Sequence, residues 1–292
     1  MNIVVSGGNG QIGSELGVAK ADQEINILTF GRNQLDLLKP KQIETIFKKY
    51  KPTYFINAAA YTQVDKAEQE VQLAYDINTN AIIHLASLCN KYNCCLIHYS
   101  TDYVYNQNIS VPLTEKHPTR PNGVYAESKR EGEKNIESLC NNYVIIRTSW
   151  VYSKFGKNFV DTMLRLADSH ASLNVVNDQI GAPTHAKDIA EATLQIIKQR
   201  NNKENGTIQA IYNYSNAGRT NWADFAREIF LLSGKKCVVN NTTTQAYNAP
   251  AHRPRWSVLS SAKVSKTYKL HIPLWEESLN DYLSSTGNIE AK

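Results

Sequence analysis

Apolar and polar positions alternate along this chain in two rhythms. Short apolar, β-branched runs at 3–6, 25–30, 54–57, 95–99 and 144–147 read as strands, and the stretches around 11–20, 39–50, 67–91 and 125–141 carry helical spacing. Strand and helix in regular succession predict an α/β fold, a doubly wound parallel sheet of the Rossmann type, with helices covering both faces. Such sheets bind ligands outside the carboxyl ends of their strands. Beyond residue 150 the alternation loosens, with helical patterns near 157–169, 187–200 and 221–233 and turn-rich segments at 177–184 and 249–254. The expected organisation is a sheet domain over 1–148, to which later segments return, and a smaller, mainly substrate-binding domain over 149–292.

Composition narrows the class. Hydrophobic residues are 42% and charged residues 20% of the 292, which excludes a disordered chain, and no apolar run approaches the roughly 20 residues of a membrane span. The opening Met1-Asn2-Ile3-Val4-Val5-Ser6-Gly7 is too short and lacks the basic flank of a signal peptide, so a cytoplasmic location is expected, with no membrane partner. Cys89, Cys94, Cys95, Cys140 and Cys237 show no CxxC spacing and read as buried, reduced thiols. Sequons such as those at Asn108 and Asn205 are chance matches in such a protein. The net charge of +5 comes from 32 basic residues scattered among 27 acidic ones, and the densest cluster, Lys48-Lys49-Tyr50-Lys51, ends a helical pattern. No nucleic-acid partner is expected.

The candidate chemistry lies at the predicted strand ends. Gly7, Gly10 and Gly13 form a GxxGxxG turn between the first strand and a helical pattern. In that context glycines bring the backbone close to a pyrophosphate seated at the helix N-terminus. The second strand ends in Phe30-Gly31-Arg32, with no acid to read a ribose 2′-hydroxyl, and Arg32 suits the 2′-phosphate of NADPH. Tyr125 and Lys129, four apart at the start of a helical pattern, share one face, so an ammonium can act on a phenol that donates a proton. Ser100 and Thr101 end the fourth strand, where a hydroxyl can hold a substrate carbonyl. His98, inside an apolar strand, reads as a satisfied core histidine, and no histidine pair has metal-ligand spacing.

At these residues, and in Asn57–Thr62 with Val64–Glu68, Ser100–Val104, Arg147–Tyr152, Asn158-Phe159, Thr162–Leu166, Asp178–Thr184 and Arg253-Pro254, the chain resembles the extended short-chain dehydrogenase/reductases, and within them the dTDP-4-dehydrorhamnose reductase family. The resemblance runs over nearly the whole chain. It implies an NADP-binding domain over 1–148, with Thr101, Tyr125 and Lys129 as the catalytic residues. Gly10, Gln11 and Ile12 would hold the cofactor pyrophosphate, Asp36 and Leu37 the adenine, and Ala60, Tyr61 and Thr62 the middle of the cofactor. Thr101, Asp102 and Trp150 would contact a sugar nucleotide. The implied reaction is NADPH-dependent reduction of a dTDP-linked 4-keto sugar to dTDP-L-rhamnose for cell-surface polysaccharide, with NADH as the alternative to NADPH. Lys129 would bond the nicotinamide ribose and hold down the Tyr125 pKa. Some family members carry magnesium between glutamates at a dimer interface. Glu15 matches one such position, but Lys187 stands where the second glutamate is expected, so no metal is assigned and a homodimer is left open. The rival readings are a UDP-linked epimerase/reductase of the same fold and a non-catalytic regulatory subunit resembling that of methionine adenosyltransferase.

Overall fold

The computed structural model describes residues 1–19, 25–107, 109–201 and 207–289. The sequons at Asn108 and Asn205, and the end of the first predicted helix at residue 20, lie outside the described residues. The five predicted strands form at Asn2–Ser6 (β1), Asn26–Phe30 (β2), Tyr54–Asn57 (β3), Cys95–Thr101 (β4) and Tyr143–Thr148 (β5). With a sixth at Gln209–Asn213 they make one parallel sheet in the order β2-β1-β3-β4-β5 and then the sixth strand beside β5. The order reverses between β1 and β3, which opens a crevice at their carboxyl ends.

Both faces of the sheet are buried, and the period of two explains why its strands read as unbroken apolar runs. Ile3, Val5, Ile56, Ile97, Val144 and Ile146 face one core, into which the helix Ala186–Asn201 packs Ile189, Ile196 and Ile197. Val4, Phe55, Leu96 and Ile145 face the other, against Ile43 and Phe47 of the helix Pro40–Tyr50, Leu85 of Ala81–Lys91 and Ile136 of Val124–Leu139. A third cluster, built on Tyr152, Phe225, Trp275 and Leu279, lies wholly in the second half of the chain.

The helix predicted over 67–91 is broken into Val64–Ala67, Val71–Tyr75, a π-turn at Asp76–Asn80, and Ala81–Lys91. The break is fixed by contacts distant in sequence. Asn78 accepts from the Tyr61 N–H at 2.9 Å and donates to Ser128 Oγ at 3.1 Å. Gly132 passes so close that a Cβ there would stand 2.1 Å from the Asn78 carbonyl oxygen. A widened turn accommodates the neighbouring helix.

Candidate active site

A cleft of about 910 Å³ opens along the carboxyl ends of the strands. One end begins at the glycine turn. Gly7 has a φ of +74°, which favours glycine, and a Cβ at Gly13 would come 2.2 Å from the Gly7 carbonyl oxygen, so Gly13 closes the turn against the helix Gln11–Val18 (α1) and does not line the cleft. Gly7, Gly10, Gln11 and Ile12 do line it, with Arg32, Asp36 and Leu37 beyond β2. The Arg32 side chain is 67% exposed and its Nε stands 3.7 Å from Asp36 Oδ2, so the guanidinium at the expected phosphate site is shared with a carboxylate.

The middle wall is Ala58–Ala60 and Thr62. Tyr61 corrects the expectation: its ring turns away into a small cluster with Ala67 and Ala74, and its hydroxyl donates to Glu70 Oε2 at 2.7 Å. Burial and that carboxylate push the phenol up to about 12, so Tyr61 braces the wall and does not line the cleft.

At the far end stand Ser100, Thr101, Asp102, Tyr125, Lys129 and Trp150. Tyr125 and Lys129 occupy the first two turns of Val124–Leu139, held at its entry by Glu68, whose carboxylate accepts from the Val124 N–H at 2.9 Å. Further along, buried Glu133 accepts Arg147 of β5 through both oxygens, at 2.8 and 2.7 Å, and Arg130 at 3.2 Å. A paired buried charge of this kind ties helix to sheet with little freedom to shift.

Burial raises the Tyr125 phenol to about 12, opposed by its hydrogen-bonding contact with the Thr101 hydroxyl and reinforced by the nearby Asp102 charge. The expected lowering by Lys129 is absent in this state. Its Nζ donates to the Tyr99 carbonyl at 2.7 Å and stands 3.2 Å from His98 Nε2, and burial pulls the amine down to about 8. The Thr101 hydroxyl donates to Asp102 Oδ1 at 3.0 Å. Asp102 is itself pushed up to about 6 by burial, partly offset by hydroxyl groups of Ser257 and Thr101.

Trp150 has φ +48° and stacks on Trp222, ring centroids 3.6 Å apart. Gly181 lies at its edge, where a Cβ would stand 2.6 Å from the indole. The Ser149 hydroxyl donates to the Ala182 carbonyl at 3.1 Å and the Thr184 N–H to the Trp150 carbonyl at 3.1 Å, so the turn-rich 178–184 segment holds this tryptophan. Arg253 Nη2 donates to Asp65 Oδ2 at 2.7 Å, joining two motifs far apart in sequence.

Sequence reasoning missed Trp222, the Asn57–His98 pair, and Asn9, Tyr103 and Lys157 on the cleft wall. Only the pair left a usable signal, as polar residues in runs that are otherwise apolar. The buried atoms Gln11 Oε1, Ser100 Oγ and Thr148 Oγ1, all in residues of the cleft, have no partner among the described residues. A long polar ligand with hydroxyl and phosphate groups would meet them, and the glycine turn suits its pyrophosphate, so the residues present fit a dinucleotide. No group of ligating side chains suited to a metal ion occurs among the described residues.

The family model described as RmlD substrate binding domain matches residues 1–287. The chain belongs to the dTDP-4-dehydrorhamnose reductase family. Within this family it is 39% identical over 282 residues to dTDP-4-dehydrorhamnose reductase of Sinorhizobium fredii, covering 95% of each chain. It is 36% identical over 301 residues to that of Escherichia coli K12, covering 98% of this chain and 100% of the other. The structure of the Bacillus anthracis family member in complex with NADP superposes with a TM-score of 0.91 at 33% identity, covering 98% and 99% of the two chains.

Proposed function

We propose that this protein is an NADPH-dependent oxidoreductase that reduces the 4-keto group of dTDP-4-dehydro-L-rhamnose to give dTDP-L-rhamnose for polysaccharide synthesis. The observation that carries the reading is one continuous cleft running from the glycine turn at Gly7 to Thr101, Tyr125, Lys129 and Trp150. When bound, NADPH supplies the hydride. Gly7, Gly10, Gln11 and Ile12 hold its pyrophosphate at the start of α1, Arg32 its 2′-phosphate, and the Ala58–Ala60 wall its middle, braced from behind by Tyr61.

Thr101 and Tyr125 form the polar pair that meets the substrate carbonyl. The Thr101 hydroxyl orients its oxygen, and Tyr125 gives a proton to that oxygen as negative charge develops there. A phenol raised by burial keeps its proton until that charge appears, which suits a donor. Trp150 offers an apolar face to the deoxysugar, and Asp102 accepts a sugar hydroxyl. Five buried free thiols accord with the reducing cytoplasm.

The test is NADPH oxidation against a panel of dTDP- and UDP-linked 4-keto sugars. Turnover with dTDP-4-dehydro-L-rhamnose at least tenfold above the UDP-linked compounds is the expected result. Turnover only with UDP-linked sugars, or NADPH binding with no turnover of any, would replace this reading with an epimerase/reductase or a regulatory one.

A further inference from the structure

A polar row crosses the otherwise apolar sheet at a single register. Ser6 of β1 pairs with Asn57 of β3, and Asn57 with His98 of β4. All three are buried, and His98 stands against Lys129 of the Val124–Leu139 helix. A polar row inside a sheet is costly unless every group is satisfied, and satisfying this one determines where its protons lie.

The orientation of the Asn57 amide is settled by the backbone. Its Oδ1 receives the Ala59 N–H at 3.2 Å, a group that can only donate, and the Ser6 hydroxyl at 2.8 Å. Its Nδ2 therefore faces His98 Nδ1, at 3.0 Å, as a donor. His98 Nδ1 must then carry a lone pair, and the proton of the neutral imidazole sits on Nε2, facing Lys129 Nζ at 3.2 Å. An ammonium has three donors and no acceptor, so a charged Lys129 would meet that N–H head-on. A neutral amine resolves the conflict, accepting from His98 Nε2–H while donating to the Tyr99 carbonyl at 2.7 Å.

We propose that His98 is a positioning residue for Lys129, holding it as the neutral amine in the empty cleft, so that binding of NADPH is accompanied by uptake of one proton from solvent onto Lys129 Nζ. The inference rests on the reading of the cleft as an NADPH site. The hydroxyl oxygens and negative charge of the cofactor favour the ammonium, and only the ammonium assists proton loss from Tyr125 one turn away. Burial acts in the same direction on both partners, lowering Lys129 to about 8 and keeping the His98 imidazole neutral. The other ionisable groups around the pair are Glu133 on the same helix, which favours the ammonium but is already engaged by Arg147 and Arg130, and Tyr125 and Asp102 at the cleft. β1 and β3 present only the uncharged Ser6 and Asn57.

The experiment is calorimetric titration of the enzyme with NADPH at pH 8 in buffers of different ionisation enthalpy, where the cofactor 2′-phosphate, with a pKa of about 6, stays ionised. Uptake of about 0.5–1 proton per NADPH is expected. The His98→Gln variant, whose amide oxygen can accept from an ammonium, should bind NADPH with uptake near zero, and Lys129→Met, read per NADPH bound at whatever affinity remains, should show no uptake. A His98 with a merely structural role would change affinity or stability and leave the proton count alone. NADPH binding without proton uptake, uptake that survives in His98→Gln, or, should that variant not fold, uptake that survives in Lys129→Met overturns the proposal while the cofactor assignment stands. Failure of NADPH to bind at all instead overturns the reading of the cleft, and this inference with it.

Discussion

The indole of Trp150 lies flat on that of Trp222, ring centroids 3.6 Å apart and planes 10° from parallel. The stack occupies one face of Trp150, Gly181 lies against its edge, and the residue also lines the cleft beside Ser149 and Val151. Phe159, tilted against Trp222 at 4.6 Å, continues the support into the third hydrophobic cluster. An aromatic pair of this kind contributes about 0.5–1.5 kcal/mol beyond its buried area. Trp150→Ala is therefore expected to raise the KM for the sugar nucleotide about tenfold or more while NADPH affinity changes little. A fall in NADPH affinity with unchanged substrate kinetics would place Trp150 elsewhere in the reaction. Gly181→Ala offers a gentler version, pushing the indole from its edge, and should raise the same KM at a stability cost of about 1–3 kcal/mol.

Tyr125→Phe removes a hydroxyl and almost no volume, so the variant should fold, melt near the parent temperature and bind NADPH. Loss of a general acid costs about 10²–10⁴-fold in turnover. Steady-state kinetics with dTDP-4-dehydro-L-rhamnose check this, and undiminished kcat would remove Tyr125 from the mechanism.

If Arg32 meets the 2′-phosphate as proposed, cofactor preference should depend on it, and it is mostly exposed and shared with Asp36. Solvent screening and the competing carboxylate weaken a charge-assisted phosphate contact, so a preference for NADPH over NADH of about tenfold is expected, equivalent to about 1.4 kcal/mol. Arg32→Ala should erase it by weakening NADPH alone. Asp36→Asn, which frees the guanidinium, should strengthen NADPH binding. Equal kcat/KM for both cofactors in the unchanged enzyme would show Arg32 to be a spectator.

Stability should depend on pH through Asp102. Its carboxyl is raised in the folded protein from an ordinary value of 3.8 to about 6, so between those values the native state binds more protons than the unfolded chain. Stability attached to this group is complete below about pH 4 and is lost as pH rises through about 6, amounting to about 2–3 kcal/mol. Denaturant titrations of the parent and Asp102→Asn at pH 4, 5, 6 and 7 isolate the effect. The difference between the two should widen in favour of Asn as pH rises through this window, and a constant difference would show that Asp102 keeps an ordinary pKa.

Much of this molecule was written in local pattern. The five predicted strands, the glycine turn after β1 and the four-residue step from Tyr125 to Lys129 depend on near neighbours, and their periodicity survives folding because burial on both faces of the sheet selects for it. The motifs of 57–68, 147–152 and 178–184 were equally legible as a resemblance to a family. What side chains do within those motifs was decided by partners far away in sequence. Tyr61 turned to Glu70 and away from the cleft because Asn78 held its backbone on one side. Trp150, in a bend between two strands, acquired its stack only when Trp222 arrived from the start of the helix Trp222–Leu232. The Tyr125 phenol moved opposite to expectation because proximity along a helix sets which face a lysine occupies but not where its ammonium points, and the Tyr99 carbonyl and His98 drew it aside. Electrostatics inside a protein follow burial and hydrogen-bond direction, and both are properties of the assembled sheet, where Ser6, Asn57 and His98, separated by dozens of residues, become next neighbours in a row.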